Sequence, residues 1–189
     1  MGAGHPEAAQ GLSPDDIKAL IRTVPDFPAA GIQFRDITTL IAHGAGLAAT
    51  IDHLAERARA ANAAAVAGIE ARGFIFGAAI AARLGLGFVP LRKAGKLPVP
   101  AIGIDYALEY GAGRIELDPG AIRAGARVLL VDDLIATGGT ALAGAELLRR
   151  AGATVDGALF VIDLPALGGA DALRAAGVEP WALVDFPGH

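Results

Sequence analysis

The chain has no cysteine. Disulfides, thiolate nucleophiles and cysteine-ligated metals are excluded with it. Aromatic residues are scarce, at 5%, although hydrophobic residues reach 53%. Ala and Gly therefore carry the apolar content, which suits tightly packed helices better than a lipid-facing surface. No run of about 18 consecutive strongly apolar residues occurs, so no transmembrane helix is expected. Met1 to Ser13 is small and polar and has no basic region leading into an apolar one. A signal peptide is not expected from such a leader, and a cytoplasmic protein is. Positive charge is not in excess: the net charge is -4. That argues against a nucleic-acid binder relying on bulk electrostatics, while leaving room for a local anion site. His5, His43, His53 and His189 show no ligand spacing. No metal or catalytic role is assigned to them, and His43 and His53 are expected to be exposed near one helix. No internal repeat is visible. A length of 189 residues suits one domain, spanning 1–189.

What is present is an alternation. Met1 to about residue 12 reads as a flexible leader. Ser13-Pro14-Asp15-Asp16 reads as a helix start, with Ser13 as N-cap, Pro14 as first helical residue and Asp16 closing a capping box. Pro25 to Pro28 is expected to end that helix. A helix from about Gly46 to Ala61 leads into an apolar run, Ala63 to Ile69. Phe74 to Leu84 reads as a helix and Gly87 to Leu91 as a short strand. Val128 to Val131 reads as a buried strand, followed by a helix from about Gly139 to Arg150 that ends on Arg149, Arg150 and Gly152. Thr154 to Ile162 reads as a strand, and Leu173 to Ala176 as part of a short helix. Trp181 and Phe186 read as core or interface residues. Near-continuous apolar strands alternating with helices predict an α/β fold: a mainly parallel twisted sheet flanked by helices. The interruption is Arg92 to Asp118, rich in Gly, Pro and charge, and a connection of that length usually carries function.

Val128 to Thr140 holds the chemistry. It is an apolar strand, two carboxylates at the strand end (Asp132 and Asp133), a turn of small residues, then a helix. Ligands of open α/β sheets bind outside the carboxyl ends of the strands. The turn Ala136, Thr137, Gly138, Gly139, Thr140 lacks bulk, so backbone N–H groups can close round a phosphate at a helix N-terminus. The hydroxyls of Thr137 and Thr140 add donors. No Lys follows the glycines, and the spacing is neither a Walker loop nor a dinucleotide fingerprint. The turn therefore suits one terminal phosphate monoester, and the two carboxylates suit a pair of ribose hydroxyls. A Gly-Gly turn by itself is common; the 13-residue run is the specific signal.

That run resembles the phosphoribosyl pyrophosphate signature of the type I phosphoribosyltransferases. Other segments resemble the adenine phosphoribosyltransferase family in order and spacing: Pro25 to Pro28, Gly31 to Ile37, Glu70 to Phe74, Arg92 to Pro98 and Leu108 to Gly111. The resemblance covers roughly Ile17 to Phe186. Gln33 departs from it, standing where the family usually has a hydrophobic residue.

The resemblance implies joining of adenine to phosphoribosyl pyrophosphate, giving AMP and pyrophosphate, in purine salvage. It implies a small N-terminal hood, about 13–36, and a mobile lid at about 93–110. Arg72, Arg92, Lys93 and Lys96 would bind pyrophosphate. Arg72 alone could equally be a surface residue paired with Glu70, and the three later cations could be a solvated charge run. Asp132, Asp133 and Ala136 to Thr140 would hold the phosphoribosyl group. Gln33, Phe34 and Arg35 would bind adenine, with Phe34 as stacking surface rather than plain core, and backbone around Gln33 and Arg35 reading the base edge. Glu109 would be the lid's catalytic residue, beside Arg72, Asp132 and Asp133, and Tyr110 would pack the lid. Mg²⁺ is the implied cofactor, carried by substrate, with water-mediated contact to Asp132 or Asp133 and no direct protein ligand assigned. A homodimer is implied, with the Arg92 to Lys96 segment near the partner's active site, and a cis peptide at Glu70–Ala71 or Ala71–Arg72.

Two alternatives remain at this level. One is the same enzyme class acting on xanthine, hypoxanthine/guanine or orotate, which would need donors for an exocyclic oxygen; no Lys lies near the expected base site. The other is a non-enzymatic regulator that keeps a phosphoribosyl-binding fold.

Overall fold

A computed structural model describes residues 11–108 and 111–188. Helix α1 (Pro14–Ala19) starts as the capping box predicts: Ser13 Oγ accepts from the Asp16 amide at 3.2 Å, and Asp16 Oδ2 accepts from the Ser13 amide at 2.9 Å. Its end differs from expectation. The helix stops before Pro25, and Arg22–Pro25 forms strand β1, antiparallel to β2 (Gln33–Asp36). β-Branched Thr23 and Val24 fit a pleated pair facing Arg35 and Phe34, which outweighs continuation of the helix. Helices α2 (Thr38–Ala42) and α3 (Gly44–Ala60) follow. His43 is exposed and caps α3, its Nδ1 accepting from the Gly46 amide at 3.0 Å. His53 is half-buried instead of exposed, because its Nε2 lies 2.9 Å from the Leu12 carbonyl, where the chain before α1 crosses α3.

The body continues through β3 (Ala65–Ile69), α4 (Arg72–Leu84), β4 (Gly87–Lys93), β5 (Ile102–Leu108), β6 (Gly111–Leu117), β7 (Val128–Ile135), α5 (Gly139–Arg150), β8 (Gly157–Asp163), α6 (Gly169–Ala175) and β9 (Glu179–Asp185). Seven strands form one sheet in the order β5-β6-β4-β3-β7-β8-β9. Strands β4, β3, β7, β8 and β9 are mutually parallel; β5 and β6 add an antiparallel edge. Side-chain alternation along β7 sends Leu129 and Val131 into one buried cluster and Val128 and Leu130 into the other, so both faces are covered.

Two further readings need correction. Arg92 to Asp118 is not irregular throughout, since it contains the paired strands β5 and β6. Here Gly103 and Gly113 leave room for the Arg114 and Tyr106 side chains, so glycines that read as loop signals are cross-strand spacers. Strand β8 begins at Gly157 rather than Thr154. Strand β9 carries Pro180 and sits at the sheet edge, where a proline is tolerated.

The hood of α1, β1 and β2 is tied to the end of the chain. Lys18 Nζ lies 3.6 Å from Asp185 Oδ1, and the Arg35 guanidinium lies 4.5 Å from the centre of the Phe186 ring.

Candidate active site

Strands β4, β3 and β7 are neighbours and parallel, so their carboxyl ends bring three segments to one edge of the sheet: Arg92–Lys93, Glu70–Arg72 and Asp132–Thr140. Strand β7 runs four residues beyond Val131, held by pairing of Leu134 with Ile162 and Ile135 with Asp163. Asp132 and Asp133 are thus fixed inside the strand's last turn of pleat. The turn from Ala136 to Gly138 then enters α5. Gly138 has φ +85°, a left-handed conformation that disfavours any side chain. A cavity of about 190 Å³ is lined by Arg72 and by every residue from Asp132 to Ala141.

Helix α4 packs its first turn against β7. A Cβ on Gly73 would stand 2.7 Å from the Val131 carbonyl oxygen and 2.9 Å from Asp132 Oδ1, so only glycine permits this approach. The Glu70–Ala71 peptide is cis, one of the two bonds expected to be so. Arg72 Nε lies 2.8 Å from Asp133 Oδ2. The alternative pairing of Arg72 with Glu70 does not occur. Glu70 Oε2 instead accepts from Arg92 Nε at 3.0 Å and from the Lys93 amide at 2.9 Å. Burial pushes the Glu70 carboxyl up, but the Lys93 amide and the Arg92 guanidinium outweigh it and hold the group below the usual carboxylate range.

Burial pushes the Asp132 carboxyl well up, and the charge of Asp133 beside it adds to this. Burial raises Asp133 too, against the opposing pull of Arg72. Two adjacent carboxylates facing one cavity without enough cations are in want of donors and positive charge. Among the described residues, no cluster of three or more His, Cys, Asp or Glu side chains could cage a metal ion.

A second cavity, of about 460 Å³, opens beside the first and shares Arg72, Leu134 and Ala136 with it. Gln33, Phe34 and Arg35 line it together with Pro28, Ile32, Leu164 and Leu167. Its wall is largely apolar and contains no lysine. Phe34 meets Phe27 edge to face, with centroids 5.3 Å apart, and is only half-buried. The Arg35 side chain is engaged elsewhere: it donates to Thr23 Oγ1 at 2.5 Å and to the Pro187 carbonyl at 3.4 Å. Sequence reading missed Leu164 and Leu167. Their position just past the carboxyl end of β8 was the available signal.

Arg92, Lys93 and Lys96 line neither cavity. Lys93 and Lys96 are exposed, in a turn pinned by the Gly95 amide donating to Glu116 Oε2 at 2.9 Å. Glu109 and Tyr110 lie outside the described residues.

The chain is similar to known proteins over most of its length. Residues 36–172 match the phosphoribosyl transferase domain family. The adenine phosphoribosyltransferase of Novosphingobium aromaticivorans is 73% identical over 178 residues, covering 94% of this chain and all of that protein. The crystal structure of the adenine phosphoribosyltransferase from Thermoanaerobacter pseudethanolicus superposes with a TM-score of 0.86 at 41% identity, over 92% of this chain and all of that one. The Giardia lamblia enzyme, solved with 9-deazaadenine, gives a TM-score of 0.87 at 35% identity, over 94% of this chain and 99% of its own. A signature strand, two adjoining cavities and this degree of likeness lead to one conclusion: the chain belongs to the phosphoribosyltransferase family, in its adenine phosphoribosyltransferase branch.

Proposed function

We propose that the protein transfers the 5-phosphoribosyl group of phosphoribosyl pyrophosphate to adenine, giving AMP and pyrophosphate in purine salvage. The observation that carries this reading is the pair of adjoining cavities. One is small, polar and built on a glycine turn at a helix start; the other is apolar, lined by Phe34, and free of lysine. They fit a phosphorylated ribose and a flat, uncharged base, and their common wall is where the two would be joined.

The turn Ala136 to Thr140 would hold the 5′-phosphate through backbone N–H groups and the Thr137 and Thr140 hydroxyls. Asp132 and Asp133 would accept from the ribose hydroxyls and stand near the positive charge that develops at C1′ and the ring oxygen as the C1′–O bond to pyrophosphate breaks. Arg72 would take the pyrophosphate oxygens, with Arg92, Lys93 and Lys96 adding charge. Phe34 would stack on adenine, and the backbone at Gln33 and Arg35 would read its edge. As N9 bonds to C1′ its proton would pass to the departing pyrophosphate or to solvent, and Glu109 would exchange a proton at N7 or orient the ring, with Tyr110 packing the closed lid. Mg²⁺ would be carried mainly by substrate oxygens, with Asp132 or Asp133, two buried carboxylates facing the small cavity, reaching it through water. Bound there, the ion would offset charge on the leaving pyrophosphate.

The chain is a homodimer in this reading. Arg92 to Lys96 would serve the partner's site, which is supported by the exposure of Lys93 and Lys96 and by the absence of all three cations from this chain's own cavities. The hood at about 13–36 and the lid at about 93–110 belong to the same proposal. A cytoplasmic location follows from the substrate, whose charge bars it from crossing a bilayer. No helix among the described residues is long and apolar enough to cross a membrane.

The test is a single assay with phosphoribosyl pyrophosphate and Mg²⁺, comparing adenine, guanine, hypoxanthine and xanthine. AMP formation from adenine at far higher kcat/KM than product formation from the other three is expected. Preference for an oxopurine, or no turnover by folded protein, would overturn the reading.

A further inference from the structure

The phosphate turn does not stand alone. The Gly169 amide donates to the Ala136 carbonyl at 3.0 Å, and the Leu164 amide donates to the Ile135 carbonyl at 3.0 Å. Between them, residues 164–169 run beneath the turn as a strap, and Leu164 and Leu167 of the same strap line the base cavity. Gly168 turns this chain with φ +75° and is the N-cap of α6.

The approach at Gly169 is very close. A Cβ there would stand 2.3 Å from the Ala136 carbonyl oxygen, 2.7 Å from the Gly138 amide nitrogen and 2.8 Å from Ile135 Cγ1. Two of the three are backbone atoms of the turn itself, which cannot swing aside as a side chain can. In return, Gly138 would put its own Cβ 3.0 Å from the Gly169 Cα. Two glycine backbones are therefore pressed together. The Ala136 carbonyl is turned toward Gly169, whose amide satisfies it. That matters because a carbonyl oxygen aimed at a phosphate would repel it, while the adjacent N–H groups attract it.

We propose that Gly169 is a positioning residue for the phosphate turn: it seats the Ala136 to Gly138 backbone so that its N–H groups meet the 5′-phosphate. The inference rests on the proposed phosphoribosyl transfer. It separates affinity for the phosphate from affinity for the base, although one strap borders both sites.

The experiment compares Gly169→Ala with the wild type by equilibrium binding of AMP, ribose 5-phosphate and adenine, alongside thermal unfolding and the adenine assay. Gly168→Asn is the control. A Cβ at Gly168 meets nothing within 4 Å, and Asn tolerates its left-handed φ. Gly169→Ala is expected to weaken AMP and ribose 5-phosphate at least about tenfold, the scale of one lost hydrogen bond to a charged group. Adenine affinity should stay within about twofold, and Gly168→Asn should bind all three ligands as the wild type does. A parallel loss for all three ligands, or no loss for any, would overturn the inference. If Gly169→Ala does not fold, amide exchange in the wild type decides. Ribose 5-phosphate should slow exchange at Gly169 together with Gly138 to Thr140; protection of the turn without protection of Gly169 would refute the seat. A wild type that binds AMP yet forms none from adenine would refute the proposed function and leave the seat standing.

Discussion

Arg72 Nε sits 2.8 Å from Asp133 Oδ2, so the cation expected to meet pyrophosphate and the carboxylate expected to meet ribose are paired with each other. Arg72 is half-exposed and Asp133 is buried, so the pair is one-sided: Asp133 depends on Arg72 more than Arg72 on Asp133. An incoming phosphoribosyl pyrophosphate offers each a new partner, hydroxyl donors for the aspartate and oxyanions for the arginine. Replacing one pairing by two leaves no buried charge orphaned. Asp133→Asn should therefore lower kcat/KM by about 10²-fold or more, the scale of losing one preorganised charged contact. It should move the thermal midpoint little. Steady-state kinetics and a melting curve on the same preparation check this; a collapsed midpoint with normal activity of the folded fraction would sink it.

Asp132 carries a cost to stability. Burial raises its carboxyl well above the ordinary value, with Asp133 adding. A folded-state pKa above the unfolded one means that the folded form binds more protons between the two values. Stability then falls as pH rises through that window and stays lower at neutral pH. Asp132→Asn removes the penalty. The ligand-free protein should gain on the order of 1 kcal/mol, roughly 2–4 °C in Tm for a chain of this size, while losing most of its turnover. An Asn variant that melts below the wild type at pH 7 would contradict the assignment.

The hood should loosen in acid before the body does. Asp36 closes β2, its Oδ1 accepting from the Thr38 amide at 2.9 Å and its Oδ2 from Arg22 Nε at 3.1 Å. The Thr38 hydrogen bonds first, then Arg22, hold its pKa down at about 2. A depressed carboxylate contributes fully above its unfolded value, about 4, and loses that contribution as pH falls through the folded value. Contacts between β1 and β2 should weaken between pH 4 and pH 2, and Asp36→Asn should flatten this limb. Amide signals of residues 22–36 followed by NMR provide the readout; identical acid limbs in both proteins would exclude Asp36 as the cause.

In the proposed function Glu109 would bear the chemistry of the lid. A carboxyl group closed over the base could exchange a proton at N7, and positioned acid–base groups contribute about 10²–10⁴-fold. Glu109→Gln should lower kcat on that scale and leave the phosphoribosyl pyrophosphate Kd nearly unchanged. An unaltered kcat, with chemistry rate-limiting, would return Glu109 to a surface role.

Much of this was legible in the sequence because local chemistry and tertiary role coincide there. Val128 to Thr140 announces strand, acids, turn and helix in one run, and the structure keeps all four. Ser13 and Asp16 announce a capping box and form one. Legibility failed where a partner distant in sequence decides the outcome. Gly103 and Gly113 read as loop until Arg114 and Tyr106 are seen across the hairpin. Arg72 reads as a match for Glu70, two residues away, yet Asp133 takes it because parallel β3 and β7 set their ends side by side. Leu164, Leu167 and Gly169 belong to no motif; following the carboxyl end of β8 is their one local sign, and the fold brings them under the signature turn.

Arg35 gives the last prediction. It was expected at adenine through its backbone, and the structure gives its side chain a separate task. The guanidinium bonds Thr23 across the hood hairpin and lies 4.5 Å from the Phe186 ring centre, while Lys18 of α1 lies 5.0 Å from the same centre. Phe186 is only 9% exposed, so this ring is a buried anchor that two hood cations share. Gln33 and Phe34, next to Arg35 on β2, line the base cavity. The position of the base wall thus depends on how firmly the hood is held to the end of β9. Phe186→Leu keeps an apolar side chain but removes the ring face. Cation–π contacts are worth about 0.5–2 kcal/mol each, so adenine KM should rise several-fold to about thirtyfold. The phosphoribosyl pyrophosphate KM should hold, because the phosphate cavity is built on β7 and α5 and touches no part of the hood. Phe186→Trp, which restores a ring face, should recover most of the adenine affinity. If both variants leave adenine KM at its wild-type value, or if both substrates weaken together, the hood is not held in register through Phe186.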